Sequence, residues 1–192
     1  MYTTAALARP LMAAVSTALL ALTLPEAARA AHAERCPGSL DVPSSPAALG
    51  SAADAVVCLV NAERTSRGLK PLRRDSALAE AARKHAGDMA REDYFAHASP
   101  AGERVRDRIN AAGYASNGDG WRVGENLGWG TGWRASPNAL VDAWLASAPH
   151  RRIMLEDAYK ELGAGVALGA PKPSPLPGAT YALEFGVIWP AD

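Results

Sequence analysis

The hydrophobic pattern of the chain changes from a helical to an alternating period near residue 160, and no other feature constrains the fold as strongly. Alternate residues are apolar in two later runs, 162–168 and 181–185, which predicts two strands. The stretch "GAPKPSPLPG" between them can form neither helix nor ladder, so it is predicted as the exposed connection of an antiparallel pair. Helices followed by strands predict an α+β fold rather than an alternating parallel sheet.

Four helices are predicted ahead of these strands. The first ends at Gly68, and the second follows Asp75, a natural N-cap. The third is predicted to begin at Ser99, in "SPAGERVRDRINAAGY", and the fourth to begin at Ser136 and to be broken by Pro149. The segment "RVGENLGWG" is too short and too rich in glycine for a helix, so it is predicted as a strand or strand end.

The first thirty residues carry the pattern of a secretory signal peptide. The apolar run "LMAAVSTALLALTL" follows Arg9, and Ala28 and Ala30 fit an A-x-A cleavage rule. We therefore predict a signal peptide over residues 1–30 and a secreted, extracellular mature chain. No later stretch approaches about 18 consecutive apolar residues, so no stable membrane span is expected after cleavage. An uncleaved N-terminal anchor is the less favoured alternative.

The mature chain has little net charge and enough apolar material for one domain. It keeps 18 basic and 19 acidic residues, a net charge of −1, and the full 192-residue chain is 48% hydrophobic. No nucleic-acid partner is therefore expected. Residues 31–51 are rich in Pro, Ser, Gly and Ala and are predicted as an extended N-terminal arm, ahead of a single domain over residues 52–192.

Both cysteines, Cys36 and Cys58, follow the predicted cleavage site. An even number of cysteines in an oxidising compartment is most simply one disulfide, which would tie the arm to the first helix. A paired metal-binding role is less favoured, because the two cysteines lack the close spacing of zinc ligands.

The candidate site combines two histidines with one carboxylate. His97 and His150 each lie at a predicted helix boundary, and Glu125 stands between glycines in "GENLGWG". Two imidazoles and a carboxylate suit a divalent metal such as zinc, so His97 and His150 are the candidate metal ligands. No compact motif such as H-E-x-x-H is present, and each residue also has a structural interpretation at a helix end or turn. His85 lies on an apolar helix stripe and is expected to be a core histidine outside this site.

Six segments together resemble bacterial, SCP-like members of the CAP superfamily, which is named for cysteine-rich secretory proteins, antigen 5 and pathogenesis-related proteins. In order, they are "CLVNAERTSRGLKPL", "AARKHAGDMA", "YFAHASPAG", "GENLGWG", "AWLASAPHRRIML" and "ELGAGVA". The resemblance covers about residues 52–189. It implies a three-layer α-β-α sandwich with a small antiparallel sheet and a cavity lined by two histidines and two acidic residues.

Three of the four cavity residues have counterparts in this sequence. His97 and His150 fall on the two histidines, and Glu125 falls on the acid of the G-E-N motif. The family's second glutamate has no counterpart, because "WLASAPH" offers Ser147 in that neighbourhood. Glu184 alternates away from the apolar residues of the last strand, so it is a candidate substitute in the cavity. A solvent-facing position for Glu184 is the favoured alternative.

The resemblance implies a binding module more than a defined reaction. We expect a secreted CAP-domain protein that presents a His/Glu cleft to a lipid, a peptide or a cell-surface ligand, with or without a metal. The alternative is a metal-dependent hydrolase in which His97 and His150 hold the ion and Glu125 activates its water. A purely structural envelope or matrix protein is a third interpretation.

Overall fold

The computed structural model describes residue 31, residues 33–115 and residues 120–189. The predicted signal peptide, His32 and residues 116–119 lie outside the described residues. The elements follow in the order α1 Ala48–Ser66, β1 Arg73–Arg74, α2 Ser76–Arg91, α3 Val105–Ala111, β2 Gly120–Thr131, a 3-10 turn Gly132–Ala135, α4 Pro137–Ala146, α5 Ala148–Met154, β3 Glu161–Leu168 and β4 Gly178–Trp189.

The strands form one four-stranded sheet in the order β1-β3-β4-β2. The long strands β3, β4 and β2 are antiparallel neighbours, whereas the two-residue β1 runs parallel to β3. The sheet is therefore mixed at one edge, where the sequence predicted antiparallel pairing only. The predicted strands over 162–168 and 181–185 and in "RVGENLGWG" are all confirmed.

Helices cover both faces of the sheet and complete the predicted three-layer sandwich. The larger core cluster joins α1 and α4 to one face of β3 and β4. On the other face, α2 and α3 pack over smaller clusters that include Leu127 and Ala182. As a result, β4 is buried on both faces from Ala179 to Gly186. Polar side chains on this strand cannot reach solvent across either face.

Two predicted helix caps are confirmed, at the starts of α2 and α4. The Asp75 side chain accepts a hydrogen bond from the backbone N–H of Leu78 at 2.9 Å, and so begins α2. Ser136 caps α4 in the same way, with Pro137 in the first turn.

Three predicted boundaries were wrong. Ser99 does not cap α3, because its hydroxyl accepts from the N–H of Glu103 in a turn, and the helix starts six residues later at Val105. Pro149 does not end a helix but lies in the first turn of α5, where its missing N–H costs nothing. Helix α1 begins at Ala48, inside the segment predicted as an extended arm.

The predicted disulfide between Cys36 and Cys58 is present. It fastens the segment before α1 to the middle of that helix, with a Cα–Cα distance of 5.7 Å. Among the helices in the described residues, none is both long and apolar enough to cross a membrane.

Candidate functional site

The site is built around Glu125, which lies on the face of β2 that α2 and α3 cover. Its side chain is only 2% exposed, and both carboxylate oxygens have close partners. Oε1 lies 2.6 Å from His97 Nδ1, and Oε2 accepts from Arg108 Nη2 at 2.7 Å. Burial alone would raise the pKa of Glu125, but its hydrogen-bond partners and the Arg108 guanidinium outweigh this effect and lower it. Glu125 is therefore a fixed, ionised carboxylate.

His97 is the part of this cluster that solvent reaches, since its side chain is 64% exposed. It belongs to the loop between α2 and α3, and Arg108 fixes that loop by donating to the backbone oxygens of His97 at 3.0 Å and Glu103 at 3.1 Å. The hydrogen bond to Glu125 raises the pKa of His97, against a smaller lowering by burial. The cluster therefore presents an oriented imidazole whose charged form is favoured.

His85 is buried as expected, but the prediction that it lies outside the cluster was wrong. Its ring is 1% exposed, and Nε2 lies 3.1 Å from the backbone oxygen of Ala96 and 3.8 Å from Glu125 Oε2. Burial lowers the pKa of His85, with a smaller opposing effect from the Glu125 carboxylate. A neutral imidazole on α2 thus closes the buried side of the site.

Glu184 is buried, so the favoured prediction of a solvent-facing position was wrong. It pairs directly with Glu125 in the register of β2 and β4, and it is 0% exposed because α2 covers this face of the sheet. Burial, and then the negative charge of Glu125, raise the pKa of Glu184 well above its ordinary value. Neither Glu184 oxygen has a hydrogen-bond partner among the described residues, so the two carboxyl groups are neighbours in the sheet without a formed hydrogen bond between them.

His150 is positioned from the other helix layer. It lies in the first turn of α5, where its Nδ1 is 2.8 Å from the hydroxyl of Ser147. Its backbone oxygen accepts from the side-chain amide of Asn126 at 3.1 Å. Burial, and then the charge of His97, lower the pKa of His150. Ser147 therefore orients the second imidazole, and convergence of His150 on one cavity with His97 and Glu125 stays a prediction.

Sequence reasoning missed Arg108, which organises the site. Its side chain is 4% exposed and bonds to Glu125 and to the loop that carries His97. The missed signal was its spacing: Arg108 lies three residues after Val105 and one before Ile109, within the apolar stripe of α3. An arginine at such a position needs a buried partner.

The donor set around Glu125 does not fit a divalent metal. Both carboxylate oxygens are engaged by His97 and Arg108, and the buried guanidinium would repel a cation beside them. Within residues 33–115 and 120–189, no three His, Cys, Asp or Glu side chains are grouped so that they could hold an ion. Zinc binding by His97 and His150 therefore stays a prediction that this geometry does not favour.

The three-layer sandwich is the fold that the resemblance implied, and within it the buried Glu125 bonds to the exposed His97. The chain belongs to the cysteine-rich secretory protein (CAP) family, whose family model matches residues 57–182.

Two relatives from Bacillus subtilis (strain 168) are similar over part of their length. The chain is 34% identical to the protein YkwD over 122 residues, which cover 64% of this chain and 45% of YkwD. It is 32% identical to the membrane protein YlbC over 111 residues, which cover 58% of this chain and 30% of YlbC. The chain therefore spans less than half the length of these relatives.

Two solved structures share the fold. An extracellular protein containing an SCP domain from Bacillus anthracis str. Ames has a TM-score of 0.59 and 24% identity, covering 74% of this chain and 44% of that one. An outer surface protein from Borrelia burgdorferi has a TM-score of 0.55 and 19% identity, covering 70% of this chain and 90% of that one. These neighbours are extracellular or surface proteins.

Proposed function

We propose that this chain is a secreted binding module that takes an anionic group of a lipid, peptide or cell-surface ligand at His97. The observation that carries the proposal is the exposed imidazole of His97, held at 2.6 Å by the buried carboxylate of Glu125. The signal pattern in residues 1–30 and the extracellular and surface neighbours support secretion.

The charges of the cluster support an anionic ligand. Arg108 and Glu125 neutralise each other in the interior, and the raised pKa of the buried Glu184 favours its neutral, protonated form. When His97 is protonated, the cluster carries one net positive charge, and that charge is on the one solvent-exposed ring. A phosphate or a carboxylate can accept its charge-assisted hydrogen bond.

The rigidity of the cluster supports binding. Glu125 and Arg108 are buried and mutually bonded, so the His97 ring is oriented before a ligand arrives. A preorganised donor loses little conformational entropy on binding. The same contacts weaken the metal-dependent hydrolase, because Glu125 is already bonded to two donors and is not positioned to activate a metal-bound water.

The experiment measures binding of the full mature chain to four probes. They are vesicles of phosphatidylglycerol, vesicles of phosphatidylcholine, a short peptide with a free carboxyl terminus and the same peptide amidated. The NMR signal of the His97 ring reports occupancy directly. His97→Ala is compared with Lys172→Ala, which removes one exposed positive charge from the loop between β3 and β4.

We expect His97→Ala to weaken binding of the anionic probe at least about tenfold, as for loss of a charge-assisted hydrogen bond, and Lys172→Ala to change it little. Binding should weaken as pH rises through the raised pKa of His97, because the cation is lost. Zinc binding by neutral imidazoles would show the opposite dependence and strengthen with pH. If neither anionic probe shifts the His97 signal, the proposal is refuted.

A further inference from the structure

The outer edge of β3 is only partly covered. Strand β1 pairs with β3 at two positions, where Arg73 and Arg74 lie beside Glu161 and Leu162. The chain then makes one more bond, from the Asp75 N–H to the Leu162 oxygen at 3.1 Å, and turns away into α2. Within the described residues, no strand continues along the edge beyond Leu162.

The alternating direction of the backbone along β3 shows which N–H and C=O groups lie on this open edge. The N–H of Gly169 bonds to the oxygen of Gly178 on the β4 side, whereas the oxygen of Leu162 faces β1. In an antiparallel ladder the backbone groups of successive residues point to opposite edges. The N–H and C=O groups of Ala164, Val166 and Leu168 therefore point away from β4, towards the uncovered side.

A groove of about 750 Å³ lies along this edge. Five consecutive residues of β3, Ala164 to Leu168, line it. Side chains of successive strand residues point to opposite faces, so a cavity lined by every residue in turn runs along the backbone edge rather than over one face. The groove thus gives access to the unpaired hydrogen-bonding groups.

Small residues keep the groove open on both walls. Gly50 and Ala53 of α1 lie on one wall and Ala79 and Gly87 of α2 on the other, and larger residues lie beside them, namely Leu49 and the Glu80–Arg83 ion pair. A Cβ atom added at Gly50 or Gly87 would meet nothing within 4 Å. Such walls admit small apolar side chains on either side of an added backbone.

We propose that this groove binds an extended peptide of about five residues, with small apolar side chains, as an added strand on β3. An extended backbone offers alternating donors and acceptors that match those of Ala164, Val166 and Leu168, and a length of five residues at about 3.3 Å each follows the open edge. The added strand would continue the line that β1 begins. This site is separate from the His97 cluster and does not depend on it.

Amide hydrogen exchange tests the geometry residue by residue. The probe is a capped peptide of alternating Val and Ser, added to the full mature chain. We expect the peptide to slow exchange at the amides of Ala164, Val166 and Leu168. The amides of Gly165 and Ala167 already bond to β4 and should change little.

Two controls separate strand pairing from general apolar contact. A fully N-methylated version of the peptide keeps the side chains but has no N–H donors, and it should bind at least about tenfold more weakly. Gly50→Leu, which fills the groove, should lower affinity by a similar factor. Ser51→Leu adds the same side chain at an exposed neighbouring position that does not line the groove, and should leave affinity unchanged.

Three results would overturn the proposal. They are equal binding of the N-methylated peptide, protection that does not alternate along β3, and unchanged affinity in Gly50→Leu. Protection of the same amides without peptide, rising with protein concentration together with dimer formation in sedimentation, would assign the edge to a second copy of the chain instead. None of these results bears on the His97 ring signal, so failure here is distinguishable from failure of the proposed anion site.

Discussion

Replacing the buried Glu184 by glutamine should make the protein more stable at neutral pH and should leave it little changed in acid. Glu184 lies directly opposite Glu125, is 0% exposed and has its pKa raised by burial and by the Glu125 charge. Glutamine has nearly the same shape as the protonated acid and carries no titrating group. Glu184→Gln therefore removes the cost of keeping Glu184 protonated without opening a cavity.

The direction of the pH effect follows from the raised pKa of Glu184. In the unfolded chain Glu184 loses its proton near pH 4.3, whereas the folded protein retains it to higher pH. The stability that Glu184 contributes is complete below the unfolded pKa and is lost as pH rises towards the folded pKa. In that window the unfolded state binds one proton fewer, so wild-type stability falls by about 1.4 kcal/mol per pH unit relative to Glu184→Gln.

Urea unfolding of both proteins at intervals from pH 4 to pH 8 measures this difference. The two free energies of unfolding should agree within about 1 kcal/mol near pH 4 and should separate above it until the pH reaches the raised pKa of Glu184 in the folded protein. Glu92→Gln at the exposed end of α2 is the matched control, and its difference from wild type should stay small at every pH. A flat difference for Glu184→Gln would show that the buried carboxyl is not protonated, and would contradict the charge assignment of the cluster.

Three further substitutions test contacts that hold the sandwich together, each by its free energy of unfolding in urea. Joint replacement of Cys36 and Cys58 by serine should cost about 3 kcal/mol, because the bond spans a separation of 22 residues, and a loss below about 1 kcal/mol would contradict this. Gly165→Ala should cost about 2 kcal/mol or more, because its Cβ would lie 2.1 Å from the α2 backbone, whereas Gly50→Ala, with open space around it, should not destabilise. Asp75→Ala should cost about 1 kcal/mol through loss of the α2 cap, and no change would show that the cap is dispensable.

Local sequence signals located most elements, but they failed where one signal serves two structures. Asp75 and Ser136 cap helices as predicted. Ser99 followed by proline carries the same signal, yet its hydroxyl bonds to the Glu103 N–H, and Gly102 takes a φ of +87° that a helix does not allow. Short hydroxyl side chains satisfy a turn as readily as a helix start, so tertiary contacts decide between the two.

The site was only partly predictable for a different reason. The resemblance placed Glu125 and His97, and the structure joins them directly. Alternation along β4 put Glu184 on the face opposite Leu183, but it does not say whether that face is covered. The implied three-layer fold would have answered this, because a central strand of a sandwich is buried on both faces. The pairing of Arg108 with Glu125 joins positions on different elements, and no periodicity specifies it.

The glycines around Glu125 and Asn126 follow from side chains of α4 and of the loop before β3, which pack closely on β2. A Cβ at Gly124 would lie 2.5 Å from the hydroxyl of Tyr159, and one at Gly128 would lie 2.6 Å from a methyl group of Leu140. Successive residues of a strand face opposite sides of the sheet, so Glu125 points to α2 and α3 while Asn126 bonds to the His150 backbone on α5. Two adjacent polar residues thus connect the central sheet to both helix layers, and the glycines permit close approach on the Asn126 side, where the layer that carries His150 packs. A one-residue slip of β2 would turn Glu125 to the opposite face of the sheet. The pairing of β2 with β4 therefore keeps Glu125 on the face where it bonds to His97 and orients that exposed ring.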